Sequence, residues 1–395
     1  MNSTYIYPAG VVYQDIFFFV FDRKLRAVKK GTGPIFWDNI TTLNSPPSEQ
    51  LQERDSISLL NNSLFTVSES GRLLQYNLQS QTWSNHHVPN NNVKCFSPTG
   101  ATMYGNSLFI VGIEGRWKRE LYQFTINNQG KGNWTHHGRP NNTNLSGYDI
   151  PMTLSDGNLF LTDKRGRLVQ RYISSNGAWV WGIHGKPPLK PITISRVVKG
   201  FLLGVLMALL GAIIGFLVGG IAGAIAGAII GFTVGFLVAT IVILIFRATN
   251  AAAAGGAMFG NKLFISGEKG HVYQFYWASN QWNWFNHGKL FSYSPALQDQ
   301  GIPFAINNDE VFVTHFTNDT DTNRIFWDGN NWMVEKHYSP QSGIVKHKIA
   351  SGAGGVARNP DTVFVLTEVP SGIFYLSNLY KSGTTWKWSV GVRIS

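Results

Sequence analysis

Cysteine is nearly missing from this chain. One residue, Cys95, stands in 395, so no internal disulfide can form and a metal site built on several thiolates is excluded. The usual signatures of catalysis are missing as well. There is no HExxH, no GxSxG and no glycine-rich phosphate loop between a strand and a soluble helix, and no acidic pair or Asp box recurs. No enzymatic activity, cofactor or metal is therefore expected. Charged residues make up only 14%, and the N-terminal MNSTYIYPAG lacks a basic stretch leading into an apolar one. A conventional signal peptide is not expected, which implies export by another route or cytoplasmic residence.

Long basic runs are also scarce. The net charge of +11 is spread over isolated Lys and Arg, with Arg23, Lys24, Arg26, Lys29 and Lys30 as the densest group. That scatter argues against specific nucleic-acid recognition. It suits a general attraction to anionic membrane surfaces, which needs less organisation.

What is abundant is aromatic residues and glycine: 13 Trp, 26 Phe, 14 Tyr and 42 Gly. This composition favours many short strands joined by tight turns, an all-β chain. A repeat supports it. The unit reads as an apolar strand, a glycine-centred turn, a second strand, then a Trp-bearing strand that leaves through His-Gly. Residues 151–187, PMTLSDGNLFLTDKRGRLVQRYISSNGAWVWGIHGKP, carry it most clearly. Echoes run through NSLFTVSESGRLLQY, NSLFIVGIEGRWKRELYQF and NKLFISGEKGHVYQFY, and the first, sixth and seventh copies are more degraded.

Seven marker tryptophans, Trp37, Trp83, Trp134, Trp181, Trp284, Trp332 and Trp388, date the copies. Most intervals are 46 to 56 residues, and the one from Trp181 to Trp284 is 103. Units of four strands repeated seven times predict a seven-bladed β-propeller, whose radial closure protects the sheet edges that an open stack leaves bare. The marker tryptophans are then core residues between blades. His137, His184 and His287 are expected to bond turn backbone.

The double interval holds a different kind of sequence. From Gly200 to Phe246, 47 residues pass without a charge or a proline. As helix that length reaches about 70 Å against a hydrocarbon core of about 30 Å, so two passes fit. A transmembrane α-helical hairpin turning near Gly219, Gly220 and Gly223 is predicted, inserted between the fourth and fifth blades. The domains are thus 1–187, blades one to four; 188–252, the hairpin; and 253–395, blades five to seven. The apolar turn leaves a shallow or conditional insertion open.

Gly211, Gly215, Gly219, Gly223, Gly227, Gly231 and Gly235 recur every fourth residue, a glycine zipper that permits close helix approach in lipid. Two arms of one hairpin, or helices of a homo-oligomer, satisfy it equally. Lys186, Lys190, Arg196, Lys199 and Arg247 bracket the segment. They place the propeller on one side of a bilayer without saying which. The sequons at Asn2, Asn39, Asn61, Asn133, Asn141, Asn144 and Asn318 are no more than an Asn-rich chain supplies by chance.

The repeat GRLVQRYISSNGAWVWGIHGKP, with GRLLQYNLQSQTWSNHHVP and GHVYQFYWASNQWNWFNHGK, resembles the units of bacterial seven-bladed propeller lectins that bind fucosylated glycans. The resemblance implies shallow sugar pockets between neighbouring blades. Its usual Leu-Gly-Gly exit is His-Gly-Lys/Arg here, and the family's sugar contacts do not map residue by residue. Chemistry alone asks for aromatic faces and planar hydrogen-bonding groups. Trp117, Trp179, Trp277, Trp282 and Trp327 lie outside the marker positions and are the candidate carbohydrate platforms. The expectation is a membrane-inserting lectin that contacts membrane lipids and cell-surface glycans, with a pore-forming defence or toxin protein as one form of it. The alternative is a membrane-anchored scaffold that binds a protein and no sugar.

Overall fold

The structure is a computed structural model describing residues 10–29, 40–51, 57–90, 93–95, 101–115, 118–127, 131–145, 152–153, 157–187, 251–259, 262–267, 271–290, 302–307, 309–314, 322–338, 341–342, 345–349, 355–359 and 361–394, with separate helical positions between 205 and 230. It divides into two compact units: Met1–Pro187 with Asn250–Ser395, and Pro188–Thr249.

Among the described residues of the first unit, seven antiparallel sheets of four or five strands follow one another along the chain. They span residues 10–42, 58–85, 93–138, 152–185, 251–289, 302–337 and 348–393. A two-stranded sheet pairs Gln341–Ser342 with Val345–Lys346. Each larger sheet is built on a four-strand meander, as in Met152–Thr153, Leu159–Thr162, Leu168–Ile173 and Trp179–Gly185, and in the third and seventh a further strand pairs out of sequence, Val93–Cys95 with Ser107–Glu114 and Lys348–Ile349 with Thr362–Glu368. Tight hairpins make this possible. Asn61 and Asn62, like Ser279 and Asn280, hold positive φ at both turn positions (47° and 59°; 52° and 59°), the conformation whose twist matches that of the flanking strands.

Alternation along the second strand sends successive side chains to opposite neighbours. Leu64 joins Phe18, Val20 and Leu25 of the first sheet, while Phe65 joins Leu108, Ile110 and Phe124 of the third. The same division recurs between the third and fourth sheets around Phe109 and Val169, the fourth and fifth around Phe160 and Phe275, and the fifth and sixth around Phe264 and Val313. The stabilising core is thus a series of seams between sheets. The seventh sheet packs on the first through Val363, Val365 and Leu376 against Phe17, Phe19 and Val28. Arg26 Nη1 donates to the Ile394 carbonyl at 2.7 Å across that seam.

The marker tryptophans lie where a seam residue should. Trp83, Trp134, Trp181, Trp284, Trp332 and Trp388 each pack, half-buried or nearly so, on one of these clusters, and Trp37 lies outside the described residues. Register separates them into two classes. Trp181 pairs with Arg171 and Trp179 with Ile173; in the sixth sheet Trp332 pairs with Trp327, which makes it the counterpart of Trp179 and not of Trp181.

In the second unit, Val205, Met207 to Leu210, Ala212 to Ile214, Leu217, Ile221, Ile225, Ala226 and Ala228 to Ile230 are helical. Ile221 is therefore helical, between glycines at which a turn was predicted. Leu209, Ile213, Leu217, Ile221, Ile225 and Ile229 recur every fourth residue and are all exposed, Leu217 to 79%. The seven zipper glycines lie outside the described residues. Among the described residues no helix is long and apolar enough to cross a membrane.

Candidate functional site

The His-Gly exit of the repeat is a β-bulge. Where the third and fourth strands pair, the register slips at Leu121/Tyr122, Leu168/Val169 and Val272/Tyr273. Each slip leaves one histidine without an opposite residue: His137, His184 and His287. The glycine that follows, Gly138, Gly185 or Gly288, takes φ of 69°, 76° or 96°, which a side chain would resist. In the second sheet His87 holds φ 60° in that place and His86 is the equivalent histidine.

Freed from the ladder, these histidines turn their rings into the next seam. The expectation of a turn-backbone partner is corrected: each Nε2 faces the side-chain oxygen of a third-strand glutamine. The pairs are His86 with Gln75 (2.6 Å), His137 with Gln123 (2.9 Å), His184 with Gln170 (2.7 Å) and His287 with Gln274 (3.2 Å). The rings then meet aromatic residues of the following sheet, Phe124, Trp179, Phe275 and Trp332 at centroid distances of 4.7 to 5.2 Å. Carbonyls are used too: Trp134 Nε1 donates to His86 and Trp181 Nε1 to His137. Burial holds all four histidines at about 4, below their ordinary 6.5; His87 adds to this at His86, and Arg171 and His136 at His137.

The glutamines have a second bond. Gln75 Nε2 donates to Ser63 Oγ (2.8 Å), Gln123 Nε2 to Ser107 Oγ (2.8 Å) and Gln170 Nε2 to Asn158 Oδ1 (2.6 Å). In each case the acceptor sits two residues before the buried phenylalanine that pairs with the glutamine. The fifth sheet breaks this rule. Phe264 pairs with Gln274, but two residues before it stands Lys262, which has no acceptor to offer an amide. Its ammonium reaches Asp309 of the sixth sheet at 2.9 Å and lies 5.3 Å from the Trp332 ring centre.

At that departure a cleft of about 340 Å³ opens between the fifth and sixth sheets, lined by Lys262, Gln274, Tyr276, Phe285, Asp309, Trp327 and Trp332. Phe285 and Trp327 are 41% and 40% exposed, whereas Gln274 is 3% exposed. Trp327 and Trp332 meet edge to face at 5.6 Å. The cleft therefore has an aromatic rim and a floor bearing a planar amide, with a cation and a carboxylate at one side.

Of the tryptophans singled out from the sequence, Trp327 lines this cleft. Trp277 is exposed and stands in the equivalent place one sheet earlier, paired with Trp282. Trp282 is half-buried against Phe160 and Phe275, and Trp179 against Phe109 and His137. Trp117 lies outside the described residues. Sequence reasoning missed Lys262, Gln274, Tyr276, Phe285 and Asp309; the visible signal was NKLF where two other copies read NSLF. Among the described residues no group of three or more His, Cys, Asp or Glu could hold a metal ion.

No protein-family model matches the sequence, and no curated protein is similar to it. Solved structures are similar. The BP39L lectin of Burkholderia pseudomallei is 13% identical over 96% of this chain and 95% of its own, with a TM-score of 0.50. YCF48 of Cyanidioschyzon merolae is 11% identical over 93% of this chain and 94% of its own, with a TM-score of 0.51. Both are β-propellers, and likeness at these identities speaks for the fold: this chain is a β-propeller.

Proposed function

We propose that the chain is a seven-bladed, glycan-binding β-propeller that works at a membrane surface, with a sugar site in the cleft between its fifth and sixth sheets. The cleft carries this reading. Its volume falls within the range of about 300–1,000 Å³ usual for small-ligand sites. Exposed aromatic faces suit the apolar side of a pyranose ring, and the Gln274 amide, the Asp309 carboxylate and the Lys262 ammonium suit its hydroxyls. The seven larger sheets support the blade count, and the lectin among the similar structures is consistent with the ligand class.

The membrane part rests on the second unit. Its exposed Leu and Ile ladder offers lipid an apolar face that water disfavours, and the glycines every fourth residue lie about opposite that ladder on a helical wheel. The segment enters lipid through that face, alone or with a second copy packed on the glycines. The competing reading, a membrane-anchored scaffold for a protein partner, draws on the exposed Met333 and Val334 of the sixth sheet and Tyr338 just after it.

A glycan array probed with the full chain and with Trp327→Ala tests the sugar site. Binding by the parent chain and its loss in the variant are expected. Silence of the parent chain across the array removes the lectin reading and leaves the scaffold.

A further inference from the structure

Four seams of this propeller carry the same glutamine–histidine pair, which gives the molecule its own internal controls. In three of them the glutamine NH₂ is capped by a second-strand acceptor, Ser63, Ser107 or Asn158. In the fourth, Lys262 takes the acceptor's place and turns to Asp309. Gln274 keeps its carbonyl bond to His287, but among the described residues no acceptor meets its NH₂. That group belongs to a side chain that is 3% exposed and yet lines the cleft. The NH₂ is open to the cleft and is not one of the sealed side-chain atoms that lack a partner, so an acceptor from a ligand can take it in place of water.

The surroundings narrow which acceptor. A ring hydroxyl can accept from the Gln274 amide or the Lys262 ammonium and give its hydrogen to Asp309, but it stands only one bond out from the ring. A carboxylate accepts only, but the Asp309 carboxylate lining the same cleft repels it, and Asp309 already occupies the lysine. A neutral carbonyl accepts without donating and without charge. It must also project from the sugar ring to reach an amide this deep. An acetamido group does both: its carbonyl takes the Gln274 NH₂, its own N–H suits Asp309, and its methyl suits the aromatic rim of Phe285 and Trp327.

Building on the glycan reading of this cleft, we infer that the fifth-to-sixth cleft selects N-acetylated hexosamines over sugars that carry a hydroxyl at the same position. The lysine at position 262 creates the selectivity by leaving Gln274 uncapped.

The test measures affinities of the full chain for the methyl glycosides of N-acetylglucosamine and N-acetylgalactosamine against methyl glucoside, methyl galactoside and a methyl glucuronide. The acetamido sugars are expected to bind about tenfold tighter than their hydroxyl counterparts, the effect of one well-made buried hydrogen bond. Two variants then separate the lysine's charge from its role in uncapping the glutamine. Lys262→Ser restores the acceptor present in the second and third sheets, so the tenfold ratio should collapse toward one. Lys262→Met removes the charge without offering an acceptor, so both sugars weaken and the ratio persists. Binding of sugars with no acetamido preference, tighter binding of the glucuronide, or a ratio unchanged in Lys262→Ser overturns the inference while the lectin reading stands. Failure of every sugar to bind removes the lectin reading itself, and this inference with it.

Discussion

Lowering the pH from 7 to 5 should loosen this propeller at its seams before any carboxylate is protonated to a large extent. His86, His137, His184 and His287 sit at about 4 in the folded chain, below the ordinary 6.5, with burial as the main cause. The unfolded chain therefore binds more protons throughout the interval between those values. Stability rises with pH wherever that holds, so the contribution is complete above 6.5 and is lost as the pH falls through 6.5 toward 4. By pH 5 each ring costs about 1–2 kcal/mol once solvent screening at the seam margins is allowed for. Four rings together lose about 4–8 kcal/mol, comparable to the whole stability of many domains, about 5–15 kcal/mol. Burial holds His337 and His347 low as well, and they act in the same direction. At His137 a neighbouring cation adds to the effect of burial. Gln123 Oε1 takes the Nε2–H of His137, so a second proton would have to go to Nδ1, which accepts from Arg171 Nε at 3.4 Å. A second proton there meets a cation. The assay is the thermal midpoint of the full chain at pH 8, 7, 6 and 5 at fixed ionic strength, with a fall on the order of 10 °C expected between pH 7 and 5. His137→Gln should start lower and fall less steeply, by about a quarter of the slope. Midpoints that stay level from pH 7 to 5 would refute the reasoning.

Three further outcomes follow from packing and from the inserted segment. A Cβ on Gly132 meets the Phe124 ring at 2.0 Å, so Gly132→Ala should cost about 1–3 kcal/mol; Gly182→Ala, whose nearest atom is a Tyr172 ring carbon at 3.4 Å, should change stability by less than about 1 kcal/mol, and equal effects in chemical denaturation would contradict the seam geometry. Phe160→Ala removes a ring packed against Phe275, Trp282 and His184 and should cost about 3–5 kcal/mol; a loss below 1 kcal/mol would mean that this seam is not core. Replacing Gly215, Gly223 and Gly231 with Leu keeps the segment apolar but blocks close helix approach, so liposome flotation should persist while any dye release seen with the parent chain disappears; unchanged release would show that the glycines organise no pore.

The propeller was legible because its physics is repeated. Each copy must place an apolar pair such as Leu64–Phe65 on a strand that faces two neighbours, and a Trp on the outer strand to close the seam, so the period survives where identities do not. The His-Gly exit was visible as a pattern, but its meaning was not: an unpaired residue in a bulge is set by register between strands, and nothing in the motif says where the freed ring will turn. Trp179 and Trp282 show the same limit from the other side. A tryptophan outside the marker positions looked available for a ligand, yet both stand one strand step from a marker, where the neighbouring sheet covers half of the indole. In the inserted segment the every-fourth-residue spacing of glycine was plain, but that spacing fits a continuous helix as well as a hairpin, and Ile221 is helical.

The cleft was illegible for a different reason, and that reason bears on how it functions. A repeat reveals what the copies share, whereas this site arises where one copy departs: Lys262 in place of a small acceptor, and Asp309 in the next copy, 47 residues on, to hold its charge. Neither substitution draws notice alone. A lysine at the start of a strand and an aspartate in a turn are ordinary surface choices. Only the seam brings them together, and only the other glutamines show what Lys262 displaces. The three capped seams spend the glutamine amide on internal bonding and so serve the fold. The uncapped one gives up an internal hydrogen bond and leaves a donor open to a cleft with an aromatic rim. Local loss of internal satisfaction is what a binding site requires and what a purely structural seam avoids. The proposed ligand is therefore assigned to the fifth-to-sixth seam in preference to its three better-satisfied counterparts.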